Sequence, residues 1–313
     1  MEKRLFDRSL YHFVRRSPAA ARRLNLLLPI SLEGQRLLVP LQYGVGEQNL
    51  VVGPKDVALY RVLQHVIPRT PGAVVDVGCN VGHFMELCVL VDRNRRYVGV
   101  DVSTACVSYV EAFIRANALQ AHQVFPLGLS DRPGIQRVFT NSPFDVCASL
   151  SANTYLPGTL GTGGVVIVDT GDAFLDRLGL TGVALIKIDV EGLELSVLKG
   201  LRETVDRERP YLIFEILVYA HLAQRAGNEA QKKHVMERRK EAALGLERFC
   251  REQDYVVYRM LSNGDLEYRR ELDPGDSTDL MAMDHLALPR EKAADLLAGY
   301  GYRIDMRPDQ AAA

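Results

Sequence analysis

The chain alternates two kinds of apolar pattern. Short continuous apolar runs, Ala73–Val77, Tyr97–Asp101, Gln123–Leu127, Val183–Ile188 and Tyr211–Leu217, are bounded by Gly, Pro or polar residues and read as buried strands. Between them, Val57–Ile67, Phe84–Val91, Thr104–Ala118 and Leu193–Val205 carry apolar residues at helical spacing, with Leu193, Val197, Leu198 and Leu201 sharing one face. Ile135–Phe139 and Val165–Val168 flank a stretch containing Gly158, Gly161, Gly163 and Gly164, which reads as a connector rather than a lid. A charged helical region over 222–252 follows, then Tyr255–Leu261, an Asn263-Gly264 turn and Leu266–Arg269 as a hairpin, and His285–Leu288 as a last short strand. Strand–helix alternation ending in a hairpin predicts an open, mostly parallel α/β sheet with an antiparallel edge.

The first thirty residues depart from this pattern, with seven Lys/Arg against two acids. Phe6, Leu10 and Phe13 fall on one helical face and Arg4, Arg8 and Arg15 on the other, so a helix packed on the main domain is expected. A weak peripheral contact of that helix with an anionic membrane face is the second reading. The domain division expected is a basic helical extension over 1–48 and one catalytic unit over 49–313. No apolar run reaches the ~18–20 residues of a membrane span. Arg15, Arg16, Arg22 and Arg23 interrupt any signal core. Lys and Arg total 38 against 39 Asp and Glu, so no global field recruits nucleic acid. Cys79, Cys88, Cys106, Cys147 and Cys250 form no CxxC and read as reduced thiols of a cytoplasmic protein.

Chemistry concentrates at two strand ends. Asp76-Val-Gly-Cys-Asn-Val-Gly82 joins a buried strand to a helix, with Gly78 for a tight turn and Gly82 for a close helix start. Its Gly-x-x-x-Gly spacing is not that of a dinucleotide loop. A carboxylate at Asp76 would repel a pyrophosphate but attract an ammonium. Asp101 ends the second strand, where an acid accepts both ribose hydroxyls. Together these fit S-adenosylmethionine better than NAD. The second constellation is Ile186-Lys-Ile-Asp-Val-Glu-Gly192, in which Lys187 and Asp189 share a strand face near the carboxyl end of the sheet. Glu191 starts the next helix, and Glu215 is an acid in the apolar run Tyr211–Leu217 at the same rim.

These residues resemble FkbM-type methyltransferases, a class I S-adenosylmethionine-dependent family. The resemblance rests on Val75–Gly82, Tyr97–Asp101, Leu127-Gly-Leu-Ser-Asp131 with Gly134, Ile186–Leu195 with Leu198-Lys-Gly200, Arg209-Pro and Phe214-Glu215, and covers roughly residues 70–290. Cys79 stands where such proteins usually carry Ala. The resemblance implies a Rossmann-like, seven-stranded mostly parallel sheet with a reversed last strand. It adds Cys79, Asn80, Val102, Leu129 and Ser130 to Asp76, Gly78, Gly82, Asp101 and Asp189 as cofactor-binding positions. It implies methyl transfer to a hydroxyl of a sugar, glycan or polyketide-type small molecule. An alkyl hydroxyl benefits from a general base. Asp189 is expected in that role or orienting the acceptor, with Glu215 assisting and Glu191 beside them. A divalent ion on Asp189, Glu191 and Glu215 is conceivable, but no fixed-spacing ligand set predicts one. The segment 218–252 is expected on the acceptor side. The competing readings are a non-catalytic scaffold and, against the charge balance, a nucleic-acid methyltransferase.

Overall fold

Strict alternation in Leu27–Leu32 buries Leu28, Ile30 and Leu32, and the partner strand buries Leu37 and Val39. The computed structural model describes residues 5–6, 27–41, 54–145, 147–151, 155–156, 159–223, 228–280, 282–301 and 304–305. Within them β1 (Leu5–Phe6), β2 (Leu27–Leu32) and β3 (Gln35–Pro40) form a small antiparallel sheet. Glu33 and Gly34 both take positive φ (50° and 75°), the conformation a two-residue hairpin requires. The extension expected to be helical over 1–48 is therefore strand at 27–40. Of the expected amphipathic helix, Phe6 sits in β1 opposite Ile30, while Leu10 and Phe13 lie outside the described residues. The missed signal was the period-2 pattern on either side of Glu33-Gly34.

The main body follows as α1 (Pro54–Val66), β4 (Ala73–Val77), α2 (His83–Val91), β5 (Tyr97–Val100), α3 (Thr104–Ala116) and β6 (His122–Phe125). A second small sheet comes next, from β7 (Gly128–Ser130), β8 (Gly134–Phe139) and β9 (Thr162–Thr170). Gly163 and Gly164 lie inside β9, so the strand is longer than its apolar stretch Val165–Val168 suggested. The chain continues through α4 (Gly171–Arg177), β10 (Val183–Ile188), α5 (Glu194–Gly200), α6 (Arg202–Glu208), β11 (Tyr211–Glu215) and α7 (Glu229–Glu252). It ends with β12 (Tyr255–Met260), β13 (Leu266–Arg269), β14 (Asp284–Pro289), α8 (Arg290–Leu297) and β15 (Ile304–Asp305). No described helix is long and apolar enough to cross a membrane.

The large sheet has the order β6-β5-β4-β10-β11-β14-β12-β13-β15. The first five strands are parallel, and β14 runs against both β11 and β12. The first seven of these strands match the sheet expected, with β14, their last in sequence, reversed. The Asn263-Gly264 hairpin does form, but it adds β13 outside the seven, and β15 pairs parallel to it. The described sheet thus has nine strands rather than seven.

Period-2 alternation divides the core into two layers. Val74 and Leu185 face α1, α2 and α3, whereas Val75, Val77, Ile186 and Ile188 face the layer of α4 to α7. Asp76 and Lys187 sit in register on β4 and β10 and share the phase of Val74 and Leu185. That phase puts a carboxylate and an ammonium inside the α2-side layer.

Close approaches are marked by glycines. A Cβ on Gly200 would lie 2.0 Å from the Ser130 carbonyl oxygen, so α5 approaches β7 this closely only because that residue has no side chain. Gly200→Ala should therefore destabilise by about 3 kcal/mol, the upper part of the overpacking range. Gly134→Ala, with nothing within 4 Å and no left-handed φ, should be near neutral. Thermal unfolding of both variants against wild type checks the pair.

Candidate active site

Chain leaves β4 toward β5 and β10 toward β11 on opposite sides, so a crevice opens at the carboxyl ends of β4 and β10. The floor is held by backbone contacts. The Asp189 amide donates to the Val77 carbonyl (2.9 Å), and Gly78 and Cys79 amides donate to Val100 (2.9 and 3.0 Å). Gly78 takes φ +84°, and a Cβ there would stand 1.9 Å from the Asp189 carbonyl oxygen, so only glycine fits. The cavity above has a volume of about 480 Å³ and lies within the size range of small-molecule sites.

Asp101 lines one end. Its Oδ2 accepts from the Asn80 amide and its Oδ1 from the Ser103 amide, each at 2.8 Å, which locks both the glycine turn and the start of α3 to one carboxylate. Burial outweighs these hydrogen bonds and raises the carboxyl to about 6. Gly78, Asn80, Val102 and Leu129 line the same cavity.

Three further expected cofactor positions support the wall from behind. Cys79 is buried, with its thiol pushed well up by desolvation. Gly82 takes φ +78° as the N-cap of α2, and Ser130 is buried at the end of β7. None of the three lines the cavity.

Asp76 departs most from its expected place. It is fully buried, absent from the cavity lining, accepts from the Tyr97 hydroxyl at 2.5 Å and lies 3.6 Å from Lys187 Nζ. The strand phase explains this: Asp76 precedes the end of β4 by one residue and points into the α2-side layer. Burial raises its carboxyl, while Lys187 and the Tyr97 hydroxyl oppose the rise. The ammonium beside Asp76 in this structure is that of Lys187.

The opposite end carries the acids. Asp189, Glu191 and Glu215 each offer a carboxylate oxygen, and these oxygens lie within 4.8 Å of one another. All three line the cavity. Lys187 Nζ donates to Asp189 Oδ2 at 3.1 Å and so holds that side chain from beneath. Glu191 takes φ +56°, an uncommon conformation for a non-glycine residue, and accepts from the Tyr155 hydroxyl. Burial, then the charges of Glu215 and Asp189, raise its carboxyl well above the usual range. Glu194 ties down the loop by accepting from the Val190 and Gly192 amides (3.3 and 3.0 Å). Three hard oxygen donors at this spacing could ligate one divalent cation.

Sequence reasoning missed the remaining wall, Asp145, Cys147, Ser149, Leu150 and Tyr155. These residues belong to the stretch between β8 and β9 that was expected to be only a connector. The isolated bridge between Phe139 and Ser149 brings part of it back over the crevice. A tyrosine and three small polar residues without periodicity carried no signal. His285 does not line the cavity: it is 2% exposed, stacked on Phe214, and held to the Met283 carbonyl at 2.9 Å.

No curated protein matches the sequence. Among solved structures, the chain is similar to methyltransferase FkbM of Methylobacillus flagellatus KT at 16% identity and a TM-score of 0.42, over 88% of this chain and 60% of that one. This chain therefore spans less than two thirds of that protein. It is similar also to an S-adenosylmethionine-dependent methyltransferase of Agrobacterium tumefaciens (11% identity, TM-score 0.41, 85% and 71% covered). An O-methyltransferase of Bacillus cereus in complex with SAH follows at 10% identity and a TM-score of 0.38, with 90% and 91% covered. The family model for the methyltransferase FkbM domain matches residues 40–257, which hold both strand-end motifs and every acid that lines the cavity, and the chain belongs to the FkbM methyltransferase family.

Proposed function

We propose that the cavity binds S-adenosylmethionine and that the protein methylates a hydroxyl of a small acceptor. The observation that carries this reading is the division of one cavity between a single buried carboxylate, Asp101, and a trio of carboxylates at its far end. Asp101 has its protein amides on one side and the cavity on the other, so it suits a pair of ribose hydroxyls. Gly78 and Asn80 offer backbone, and a Cβ at Gly78 is forbidden, which leaves room for a ligand to lie against the turn. S-adenosylmethionine, when bound, supplies the methyl group on a sulfonium.

The residues of the trio divide their work by environment. Asp189 is pinned by Lys187 and orients the acceptor. Glu191, raised by burial and by two neighbouring carboxylates, takes the hydroxyl proton as that oxygen attacks; Glu215 shares the proton afterwards. This assignment moves the base from Asp189, expected from the sequence, to Glu191. A general base is most effective when its pKa approaches the working pH, and repulsion among three acids brings Glu191 toward that condition. The stretch 218–252 supplies α7 beside this end, which supports an acceptor-side role for it.

Two measurements test the reading. SAH titrated calorimetrically should bind wild type and lose at least tenfold in affinity with Asp101→Ala. The hydroxyl donors of a ribose favour the charged form of Asp101, so wild-type affinity should be full above about pH 6 and fall as pH drops through it. A flat pH profile would remove Asp101 from the ribose. For the chemistry, turnover of an acceptor found among hydroxylated compounds should fall about 10²–10⁴-fold in Glu191→Gln, with SAH affinity within about threefold of wild type. Wild-type rate should rise with pH until Glu191 is ionised, and that acid limb should disappear in the variant. Unchanged turnover would return the base role to Asp189.

A further inference from the structure

Of the described residues that line the cofactor cavity, five are acids, Asp101, Asp145, Asp189, Glu191 and Glu215, and one side chain, His83, can carry a positive charge. We propose that the His83 imidazole receives the carboxylate of the methionine moiety and so selects cofactor-like ligands that keep that carboxylate. The assignment rests on the S-adenosylmethionine reading of the cavity and adds the residue that orients the amino-acid end.

S-adenosylmethionine carries a sulfonium, an ammonium and a carboxylate. Its two cations suit a wall of acids. Its carboxylate does not, because like charges in a site partly shut off from water repel strongly. No Lys or Arg among the described residues lines the cavity to take it. Lys187 is near, but it stands between Asp76 and Asp189, at 3.6 and 3.1 Å, and is absent from the lining. Asp145 accepts from the Asn141 and Cys147 amides at 2.7 and 3.0 Å, which anchors it without adding a cation. The carboxylate is therefore drawn to His83, and its presence there favours the charged ring in return.

Local structure fixes where this residue stands. Gly82 takes φ +78° as the N-cap of α2, and the turn brings His83, the first residue of the helix, to the cavity wall. Three residues before it, the Asn80 amide reaches Asp101 at the ribose end, at 2.8 Å. One residue after it, the Phe84 ring centre lies 5.6 Å from the Lys187 ammonium, which holds Asp189 at the acid end. His83 thus falls in the chain between the groups that define the two ends. A ligand with its ribose on Asp101 extends its tail from one end toward the other, past His83. A protonated imidazole meets a carboxylate with both charge and a hydrogen bond, a stronger contact than a neutral pair. With the carboxylate held there, the ammonium and the sulfonium are left to face the acids.

The test is calorimetry on the full chain with two ligands, SAH and S-adenosyl-3-thiopropylamine, which is SAH without its carboxylate and keeps the ammonium. Wild type should bind the decarboxylated analogue at least tenfold more weakly than SAH. His83→Leu should weaken SAH at least tenfold and the analogue less than twofold, so that the two ligands bind nearly alike. His83→Arg, which restores a cation, should hold SAH within about threefold of wild type, a rescue that a merely structural role for the imidazole would not give. If His83→Leu does not fold, His83→Gln, uncharged and polar, is read in its place by the same criterion. The inference is overturned if wild type binds both ligands equally, if the uncharged variant weakens both by the same factor, or if it binds SAH as wild type does. SAH bound without discrimination between the ligands sinks the His83 assignment alone, whereas no SAH binding to wild type sinks the cofactor reading beneath it.

Discussion

A lysine inside a sheet must be neutralised, and that requirement ties the core of this protein to its chemistry. Lys187 is 8% exposed and stands between Asp76, at 3.6 Å, and Asp189, at 3.1 Å. An unpaired charge there would cost several kcal/mol. The pairing therefore fixes where both carboxylates go. Asp76 closes the arrangement from below with the Tyr97 hydroxyl, and Phe84 lies under the ammonium, 5.6 Å from its ring centre. Asp189 is the upper partner, and its carboxylate is the side of the network that meets the cavity. A charge chain thus runs from the buried layer under α2 to the rim where transfer is proposed.

The cavity itself follows from topology and from one glycine. Strands β4 and β10 stay paired through Val77 and Ile188, then diverge toward opposite flanks of the sheet. Their ends meet so closely at Gly78 and Asp189 that a methyl group could not stand between them. The two ends of the cavity then differ in their electrostatics. Burial raises both carboxyls, but backbone amides oppose the rise at Asp101 while two other acids add to it at Glu191. One end suits recognition of fixed hydroxyl donors. The other suits a group that must accept a proton and give it up.

Much of this was legible in the chain. Asp101 could be located because a carboxylate ending the second strand has one geometric consequence, whatever packs around it. Gly78 and Gly82 were legible because left-handed turns leave few alternatives. The strand β10 and its acids followed from period-2 counting, which places Lys187 and Asp189 on one face. The same counting, applied to β4, puts Asp76 on the Val74 side and away from the crevice. Asp76 was expected beside a ligand because it lies near the strand end, but it is one residue short of Val77 and so takes the buried phase. The hairpin Leu27–Pro40 was hidden in a basic segment whose helical wheel drew attention to Phe6, Leu10 and Phe13. Its own signal, two alternating runs around Glu33-Gly34, is local and physically sufficient.

What the sequence determined by itself was the local and the periodic: the α/β class, the glycine turns, the strand-end acids and the family they belong to. Each depends on backbone sterics or on side-chain period, which neighbouring residues settle without knowledge of the fold. The tertiary structure alone decided which acids meet. Glu191 and Glu215 are 24 residues apart in the chain, yet they offer oxygens within 4.8 Å because parallel strands β10 and β11 end side by side. It also decided that Tyr155 and Ser149 wall the cavity. Those outcomes depend on distances between elements remote in sequence, set by how the layers pack, and no pattern along one chain encodes them directly.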